Sequence, residues 1–201
     1  MKICIKFLAA VALAALIVLP TVAAASDSYK TLNNSIRIGD NTTAGDVDSV
    51  NGSIRIGSNS FVDSVDSVNG AIKLANDVTV DGSVYAVNGA ITLQPGCKVG
   101  GRVETVNGGI RMENTRIASD VETVNGQLRI LDRSEVSGNV VVRKPGGWSI
   151  NKRHKPVRVE IGRNVVVHGD LIFEHAVELK LHDTARVGEI IGDEVEMVGS
   201  S

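Results

Sequence analysis

Four histidines are the side chains in this sequence best suited to hold a metal ion or to move a proton. They are His154, His168, His175 and His182, and the last three recur at intervals of seven residues. A metal site needs ligands that converge on one point. In a chain built from repeats of about 18 residues, intervals of seven place the side chains on different faces. We therefore expect exposed strand and corner residues here, with no metal centre and no cofactor.

A basic cluster surrounds the single tryptophan and is the second group with chemical potential. It contains Arg143, Lys144, Lys152, Arg153, Lys155, Arg158 and Arg163. Such a cluster can be a solvated loop, or it can contact anionic envelope polymers such as lipid head groups, lipopolysaccharide or the carboxylates of peptidoglycan. The second interpretation predicts salt-sensitive binding. Its candidate contact residues are Trp148, Lys152, Arg153 and Lys155.

Motifs of enzyme active sites are absent from the sequence. It contains no Gly-rich phosphate loop, no nucleophile elbow and no metal-protease motif. A catalytic β-helix needs reactive residues gathered on one face and long loops that form a cleft, whereas the exposed strand positions here look mixed in charge and the loops are short. We therefore expect a protein that is not an enzyme.

Composition narrows the range of ligands. Aromatic residues make up 3% of the chain, which excludes stacking platforms for bases or sugars as its main theme. The formal net charge of −2 is close to neutral and argues against a dedicated polyanion binder. We expect no nucleic-acid partner, and a core built from Val, Ile and Leu.

An internal repeat organises most of the chain and must position every candidate residue. A Val-Asn-Gly tripeptide recurs at spacings of 18 or 19 residues, beginning at Val50, Val68, Val87, Val106 and Val124, and a worn copy begins at Leu32. After each copy an apolar, a polar and an apolar residue follow, as in Ile54-Arg55-Ile56. This alternation predicts a strand whose middle side chain faces water.

A second strand is predicted around a glycine, in segments such as 80–84, 99–103 and 136–140, where the glycine permits a bend or a close backbone approach. The Asn-Gly pair favours a corner with positive φ. Eighteen or nineteen residues hold about three short strands and three corners, which is one coil of a parallel β-helix. The predicted fold is therefore all-β, a single-stranded parallel β-helix with coils of 18–19 residues.

Stacked coils would place like residues in columns. One predicted interior column contains Ile36, Ile54, Ile72, Ile91, Ile110 and Leu128, and a second contains Ile38, Ile56, Leu74, Leu93, Met112 and Ile130. The corner asparagines would also stack and bond through their side-chain amides. Regular coils are expected over residues 26–142, a protruding basic loop over 143–156, and further coils with a C-terminal cap or tail over 157–201.

Handedness separates two functional classes. Apolar residues at 50, 56, 62, 68, 74 and 80 are six apart, the spacing of left-handed hexapeptide helices found in acyltransferases. The spacing then slips to seven at Val87 and again at Val106, with no inserted loop. Because left-handed coils tolerate such slips poorly, the right-handed form is favoured.

These coils, with their Val- and Ile-rich strands, glycine-bearing segments and absence of a catalytic cluster, resemble the bactofilins, also called polymer-forming cytoskeletal proteins. They are also similar to exported putative-adhesin solenoids with Val-(Asn/Ser)-Gly-x-Ile units. The resemblance covers roughly residues 30–142 and 157–192. It implies a right-handed β-helix that polymerises end to end into filaments or sheets without a nucleotide.

The N-terminal residues have the pattern of an export signal. Lys2 and Lys6 precede an apolar stretch over residues 7–19, and residues 23–25 are three alanines. We interpret residues 1–25 as a signal peptide whose removal leaves a periplasmic or extracellular protein without a transmembrane segment. The alternative is a retained anchor, because residues 7–25 approach the length of a membrane span. After removal Cys97 would be the only cysteine, and we expect it to be a small buried hydrophobe.

Together these features predict a non-enzymatic, self-associating scaffold protein of the bacterial cell envelope. Strand addition at the terminal coils would join one copy to the next. An exported adhesin-like module that contacts envelope or surface polymers is the alternative. A left-handed acyltransferase is a third class, which export disfavours because acyl-CoA donors are cytosolic.

Overall fold

The computed structural model describes residues 27–145 and 155–199, which form 25 β-strands in three parallel sheets. The first sheet contains β1 (Tyr29–Thr31), β4 (Val47–Ser49), β7 (Val65–Ser67), β10 (Val84–Ala86), β13 (Val103–Thr105), β16 (Val121–Thr123), β19 (Val140–Val142), β22 (Leu171–Phe173) and β24 (Ile190–Ile191). The second sheet contains β2 (Ile36–Ile38), β5 (Ile54–Ile56), β8 (Ile72–Leu74), β11 (Ile91–Leu93), β14 (Ile110–Glu113), β17 (Leu128–Leu131), β20 (Val157–Ile161), β23 (Val177–Leu181) and β25 (Val195–Met197). The third sheet contains β3 (Thr43–Ala44), β6 (Phe61–Val62), β9 (Thr79–Val80), β12 (Lys98–Val99), β15 (Arg116–Ile117), β18 (Glu135–Val136) and β21 (Val166–Val167).

The strands wind into a β-solenoid of about eight coils. Coils 1 to 7 each contribute one strand to every sheet, so that coil 1 is β1–β3 and coil 7 is β19–β21. Coil 8 consists of β22, β23 and a bridge between Val166 and Arg186, and β24 and β25 begin a further coil. All neighbouring strands are parallel, as a coil that rises steadily requires. The predicted all-β solenoid of 18–19-residue coils is confirmed, and its hand stays a prediction.

Both predicted interior columns are confirmed. Ile72, Ile91 and Ile110 are register partners in β8, β11 and β14, and all three are buried. Leu74, Leu93 and Met112 form the neighbouring column. Each fully buried aliphatic side chain contributes about 1.5–3 kcal/mol relative to exposure. The stacked coils therefore share one continuous apolar core that no single coil could form.

The asparagine column is also confirmed. Each Nδ2 donates to the Oδ1 of the asparagine one coil towards the N-terminus, at 2.9–3.0 Å. The column runs from Asn33 through Asn51, Asn69, Asn88 and Asn107 to Asn125. It connects the corners of six successive coils through side chains as well as through the backbone.

The expected positive φ at the Asn-Gly corner is wrong. Positive φ occurs instead at the corner after each second-sheet strand from β2 to β20, as at Asn59 (56°), Asp77 (57°) and Gly96 (85°). The glycine after each corner asparagine is required by close backbone approach, because a Cβ on Gly89 would overlap the carbonyl oxygen of Gly70 in the coil below. Close approach between stacked coils, and not turn geometry, therefore explains why the Asn-Gly pair recurs at a regular spacing in this chain.

Two further sequence interpretations need correction. The segment 99–103 is not one strand, because β12 ends at Val99, β13 begins at Val103 and the glycines lie in the corner between them. The six-residue apolar spacing does not mark the interior either, since Val50 is 36% exposed and Val68 is 40% exposed. Only residues 56, 62, 74 and 80 of that series are buried.

The C-terminal coils follow a long connection. β19 ends at Val142 and β20 begins at Val157, whereas only four residues separate the corresponding strands of earlier coils. Residues 146–154 of the expected basic loop lie outside the described residues. Strand pairing then resumes, and β25 within the expected tail pairs with β23. Within residues 27–145 and 155–199, no helix has the length and apolarity to cross a bilayer. The predicted signal peptide, residues 1–25, lies outside the described residues.

Candidate functional site

The predicted polymer-contact residues are placed only in part. Trp148, Lys152 and Arg153 lie outside the described residues, whereas Lys155 is exposed just before β20. Lys155 lines an open cavity of about 600 Å³ together with Asn125, Gln127, Arg158 and Glu178. Arg158 Nε lies 2.8 Å from Glu178 Oε2, so this cation already has an anionic neighbour.

The histidines do not converge. His154 lies outside the described residues, His168 is exposed with its Nε2 3.0 Å from Glu135 Oε1, and His182 Nδ1 accepts a hydrogen bond from the Thr184 backbone amide. Across the described part of the chain, no three His, Cys, Asp or Glu side chains are grouped to hold a metal ion. His168 also lowers the pKa of Glu135, with a smaller contribution from Arg116.

His175 departs from the expected exposed position. Its Nε2 lies 3.0 Å from the carbonyl oxygen of Val124, and its Nδ1 is buried without a hydrogen-bond partner in the structure. Because a carbonyl can only accept, the ring must carry its proton on Nε2. The side chain thus reaches from the coil 8 corner to the coil 6 corner.

An acidic row runs along the outer surface of the first sheet. We use this name for the middle residues of five successive strands, Asp48, Asp66, Tyr85, Glu104 and Glu122. Parallel strands lie about 4.8 Å apart, so the row repeats at that interval. Burial and the nearby charges of Asp48 and Asp46 raise the pKa of Asp66. The members near the N-terminal end therefore repel one another.

Cations neutralise the acidic row only in part. Lys30 Nζ lies 2.9 Å from Asp48 Oδ2, and buried Glu122 has Arg143 Nε at 2.8 Å and Arg102 Nη1 at 3.6 Å. Glu122 is thereby removed from the free surface. Asp66 has no ion pair among the described residues, and its side chain reaches solvent although its neighbours partly desolvate the carboxylate.

A basic row runs along the outer surface of the second sheet. It consists of the middle residues Arg37, Arg55, Lys73, Thr92, Arg111 and Arg129. Arg111 lies 3.4 Å from Glu113 and Arg129 lies 2.7 Å from Glu160. Across residues 27–145 and 155–199, the first three cations of the row have no ion-pair partner. They therefore form an uncompensated strip of positive charge.

The two rows were missed by the sequence interpretation, which treated the exposed strand positions as mixed. They are mixed along the chain, but in coils 2, 3, 5 and 6 the pairing register places an acid on the first sheet and a base on the second. Lys30 in coil 1 and Glu160 in coil 7 do not follow this arrangement. Aligning the repeats on Asn-Gly and reading only the middle residue of each flanking strand would have separated them.

The two ends of the solenoid are the remaining candidate surfaces. Ile190 is 42% exposed and Met197 is 57% exposed, although the residues directly below them, Leu171 and Leu179, are fully buried. In the part of the chain that the structure describes, β24 and β25 pair on one side only, as do β1, β2 and β3. Both ends therefore present unpaired strand edges, and the C-terminal end also presents open core columns.

Cys97 lies inside the solenoid, as expected. It is fully buried at a corner position, and its thiol donates to the carbonyl oxygen of Ala75 at 3.0 Å. Burial raises the pKa of the thiol to about 11. A buried, protonated thiol is a packing residue and a poor nucleophile.

Comparisons of this chain with protein-family models, with curated proteins and with solved structures found no match.

Proposed function

We propose that this chain is a non-enzymatic scaffold protein whose copies associate end to end. The observation that carries the proposal is the abrupt exposure of the core at the C-terminal end, where Ile190 and Met197 continue buried columns into solvent. Burying exposed apolar surface stabilises association by about 25 cal/mol per Å² before association costs are subtracted. A second solenoid end is the partner whose columns match.

The columns favour a head-to-tail arrangement. Tyr29 and Ile190 are the first and last residues of one first-sheet column, and Ile36 and Met197 are the two ends of one second-sheet column. A copy stacked in the same direction would place Tyr29 over Ile190 and Ile36 over Met197. Each unpaired strand edge would then gain a parallel partner of the kind found throughout the solenoid.

The first test compares assembly length in two matched variants. Met197→Lys introduces a charge at the exposed end, whereas Phe61→Lys introduces the same charge at an exposed apolar residue on the side of the third sheet. Negative-stain microscopy and sedimentation of the wild type should reveal elongated particles. Met197→Lys should shorten them to single solenoids and Phe61→Lys should not. A wild type that stays monomeric at every concentration would overturn the proposal.

A cross-linking test fixes the direction of stacking. Lys30 and Ile191 are the two ends of one outer column, so head-to-tail contact would bring them together across the junction. In the mature chain, whose own Cys97 is buried, oxidation of mixed Lys30→Cys and Ile191→Cys proteins should yield a disulfide-linked heterodimer, since neighbouring strands lie within disulfide reach. Cross-linking of Ile191→Cys with itself alone would instead indicate tail-to-tail contact and reject this arrangement.

The proposed setting is the bacterial cell envelope, outside the cytoplasm. Lys2, Lys6 and the apolar stretch that follows support export, and the resemblance to bactofilins and to exported solenoids supports polymerisation. Fractionation with detection of the N-terminus of the mature chain tests this setting. Recovery of the uncleaved chain from the cytoplasm would contradict it.

Binding of anionic envelope polymers is a second candidate function. It is favoured by one observation, the exposed Lys155 beside the open cavity that Arg158 also lines. Neutralising Lys152, Arg153 and Lys155 together should abolish salt-sensitive binding to lipopolysaccharide vesicles. Unchanged binding would dismiss this role.

A further inference from the structure

The acidic and basic rows share one pattern along the axis. In coils 2, 3 and 5 the first sheet presents an acid and the second sheet presents a base, and in coil 4 both present an uncharged residue. The four level pairs are Asp48 with Arg55, Asp66 with Lys73, Tyr85 with Thr92, and Glu104 with Arg111. Because both rows advance by one strand spacing per coil, their intervals are equal by geometry.

Each row places like charges on neighbouring strands, and ion pairs within the same chain compensate these charges only in part. Arg55 and Lys73 are register partners with no ion pair among the described residues, and like charges directly opposite each other on neighbouring strands are destabilising. On the other sheet, Asp48 and Asp66 are register partners, and the pKa of Asp66 is raised by burial and by the neighbouring acids. A surface with the opposite charge at the same interval would relieve both.

The surface around the basic row is flat enough for close approach. The residues on either side of its strands are small, namely Ser53 and Ala71 on one side and Gly57 and Ala75 on the other. Beside the acidic row, Val50 and Val68 are exposed and offer apolar contact next to the charges. Charged pairs at the rim of an apolar contact give specificity and register more than raw affinity.

We propose that copies of this chain also associate side by side, with the acidic row of one solenoid against the basic row of the next and with equal coils level. In this arrangement coils 2, 3 and 5 each bring an acid against a base, and Tyr85 faces Thr92 instead of a charge. At the N-terminal coil Lys30, which is already paired with Asp48, faces Arg37. If one solenoid shifted by one coil along its axis relative to the neighbour, Tyr85 would face Lys73 or Arg111 instead of Thr92. The contact joins two different faces and is therefore heterologous, so further copies can add on either side and the assembly becomes wider than one solenoid.

A second copy fits these observations better than an anionic polymer. A polymer with evenly spaced charges has no reason to meet an uncharged residue in coil 4, whereas the acidic row is uncharged at that same coil. The contact uses the sides of the solenoid and does not require the end contacts of the proposed function. Length and width of the assemblies therefore report on the two proposals separately.

The test is a charge exchange between two full-length variants. One variant carries Arg55→Glu and Lys73→Glu, so both faces are acidic, and the other carries Asp48→Lys and Asp66→Lys, so both faces are basic. Like charges placed opposite each other cost several kcal/mol, so each variant alone should associate laterally at least about tenfold more weakly than the wild type. An equimolar mixture should recover lateral association, because acidic faces then meet basic ones.

Particle width in negative stain and sedimentation in the Met197→Lys background measure the lateral contact without end contacts. Wild-type lateral association should weaken as added salt shortens the Debye length from about 10 Å to about 3 Å. Lateral association that persists in either single variant, or that fails to return in the mixture while circular dichroism shows folded protein, overturns the proposal. The proposal is also overturned if the basic row binds an anionic polymer such as polygalacturonate in solenoids that never associate side by side.

A milder pair of substitutions guards against misfolding. Arg55→Gln with Lys73→Gln removes the charges without reversing them, and it should also narrow the assemblies. Unchanged width in this folded variant would count against the proposal. If the wild type forms long assemblies that never widen, the end-to-end function stands and the lateral contact is rejected. If the assemblies widen but never lengthen, the lateral contact stands and the end-to-end function is rejected.

Discussion

His175 in coil 8 donates from Nε2 to the carbonyl oxygen of Val124 in coil 6, at 3.0 Å. In earlier coils the carbonyl of the equivalent valine accepts a hydrogen bond from the backbone N–H of the corner asparagine in the next coil. Val106, for example, accepts from Asn125 at 2.9 Å. The corresponding residue in coil 7 is Lys144, whose N–H turns to Glu174 instead, at 2.9 Å. The histidine therefore satisfies a carbonyl that the departing chain would leave unpaired.

Replacing this histidine should destabilise the C-terminal coils. His175→Ala leaves the half-buried Val124 carbonyl without a donor, and we expect the free energy of unfolding to fall by about 1–2 kcal/mol. His175→Gln keeps an N–H donor and should recover part of the loss. Chemical denaturation measures both. Equal stability of His175→Ala and the wild type would show that the contact contributes nothing.

The asparagine column permits a graded test. Asn88 donates to Asn69 and accepts from Asn107, whereas Asn125 makes a single column bond among the described residues. With about 0.5–1.5 kcal/mol for each hydrogen bond, Asn88→Ala should cost about 1–3 kcal/mol and Asn125→Ala about half as much. Thermal unfolding of the two variants provides the comparison, and equal losses would argue against additive bonds along the column.

Corner glycines should be intolerant of even one methyl group. A Cβ at position 89 would overlap the carbonyl of Gly70, so Gly89→Ala must push two coils apart. We expect a loss of about 1–3 kcal/mol or more, typical of overpacking. Gly39→Ala is the matched control, because its Cβ would meet Thr42 Oγ1 at an ordinary 3.7 Å. Similar melting temperatures for the two variants would contradict the role assigned to close approach.

Cys97 should be inert in the folded protein. Because burial raises its pKa to about 11, little thiolate exists at pH 8 and modification by a thiol reagent should wait for unfolding. The raised pKa also gives a stability that is fully present below the ordinary value of 9.0 and is lost as pH rises towards 11. Comparing wild type with Cys97→Val across this range isolates the effect; rapid labelling of native protein at pH 8 would contradict it.

The interior was predictable because its signal is strictly periodic. Ile72, Ile91 and Ile110 occupy the same place in successive repeats, and only stacking buries all three. Local turn propensity misled at the corners, since Asn-Gly suits a positive φ but here serves backbone approach and an amide column. Tertiary packing, and not local turn propensity, determines which of these two roles the Asn-Gly pair has.

The candidate surfaces were less predictable than the core. Asp66 and Lys73 are seven residues apart in sequence yet lie on different sheets, and their like-charged neighbours are 18 residues away. Reading charge along the chain therefore conceals its arrangement in space. The role of His175 could not be predicted, because it depends on the chain leaving the coil 30 residues earlier.

The bonding of each coil almost entirely to its immediate neighbours has an evolutionary consequence. Tandem duplication or loss of a whole 18- or 19-residue unit would leave the remaining junctions intact and change the rod by about 4.8 Å. A deletion of one residue would instead turn a strand's apolar side chains outward. Such a gene can vary the length of its product in fixed steps, and selection can act on that length while the core stays unchanged.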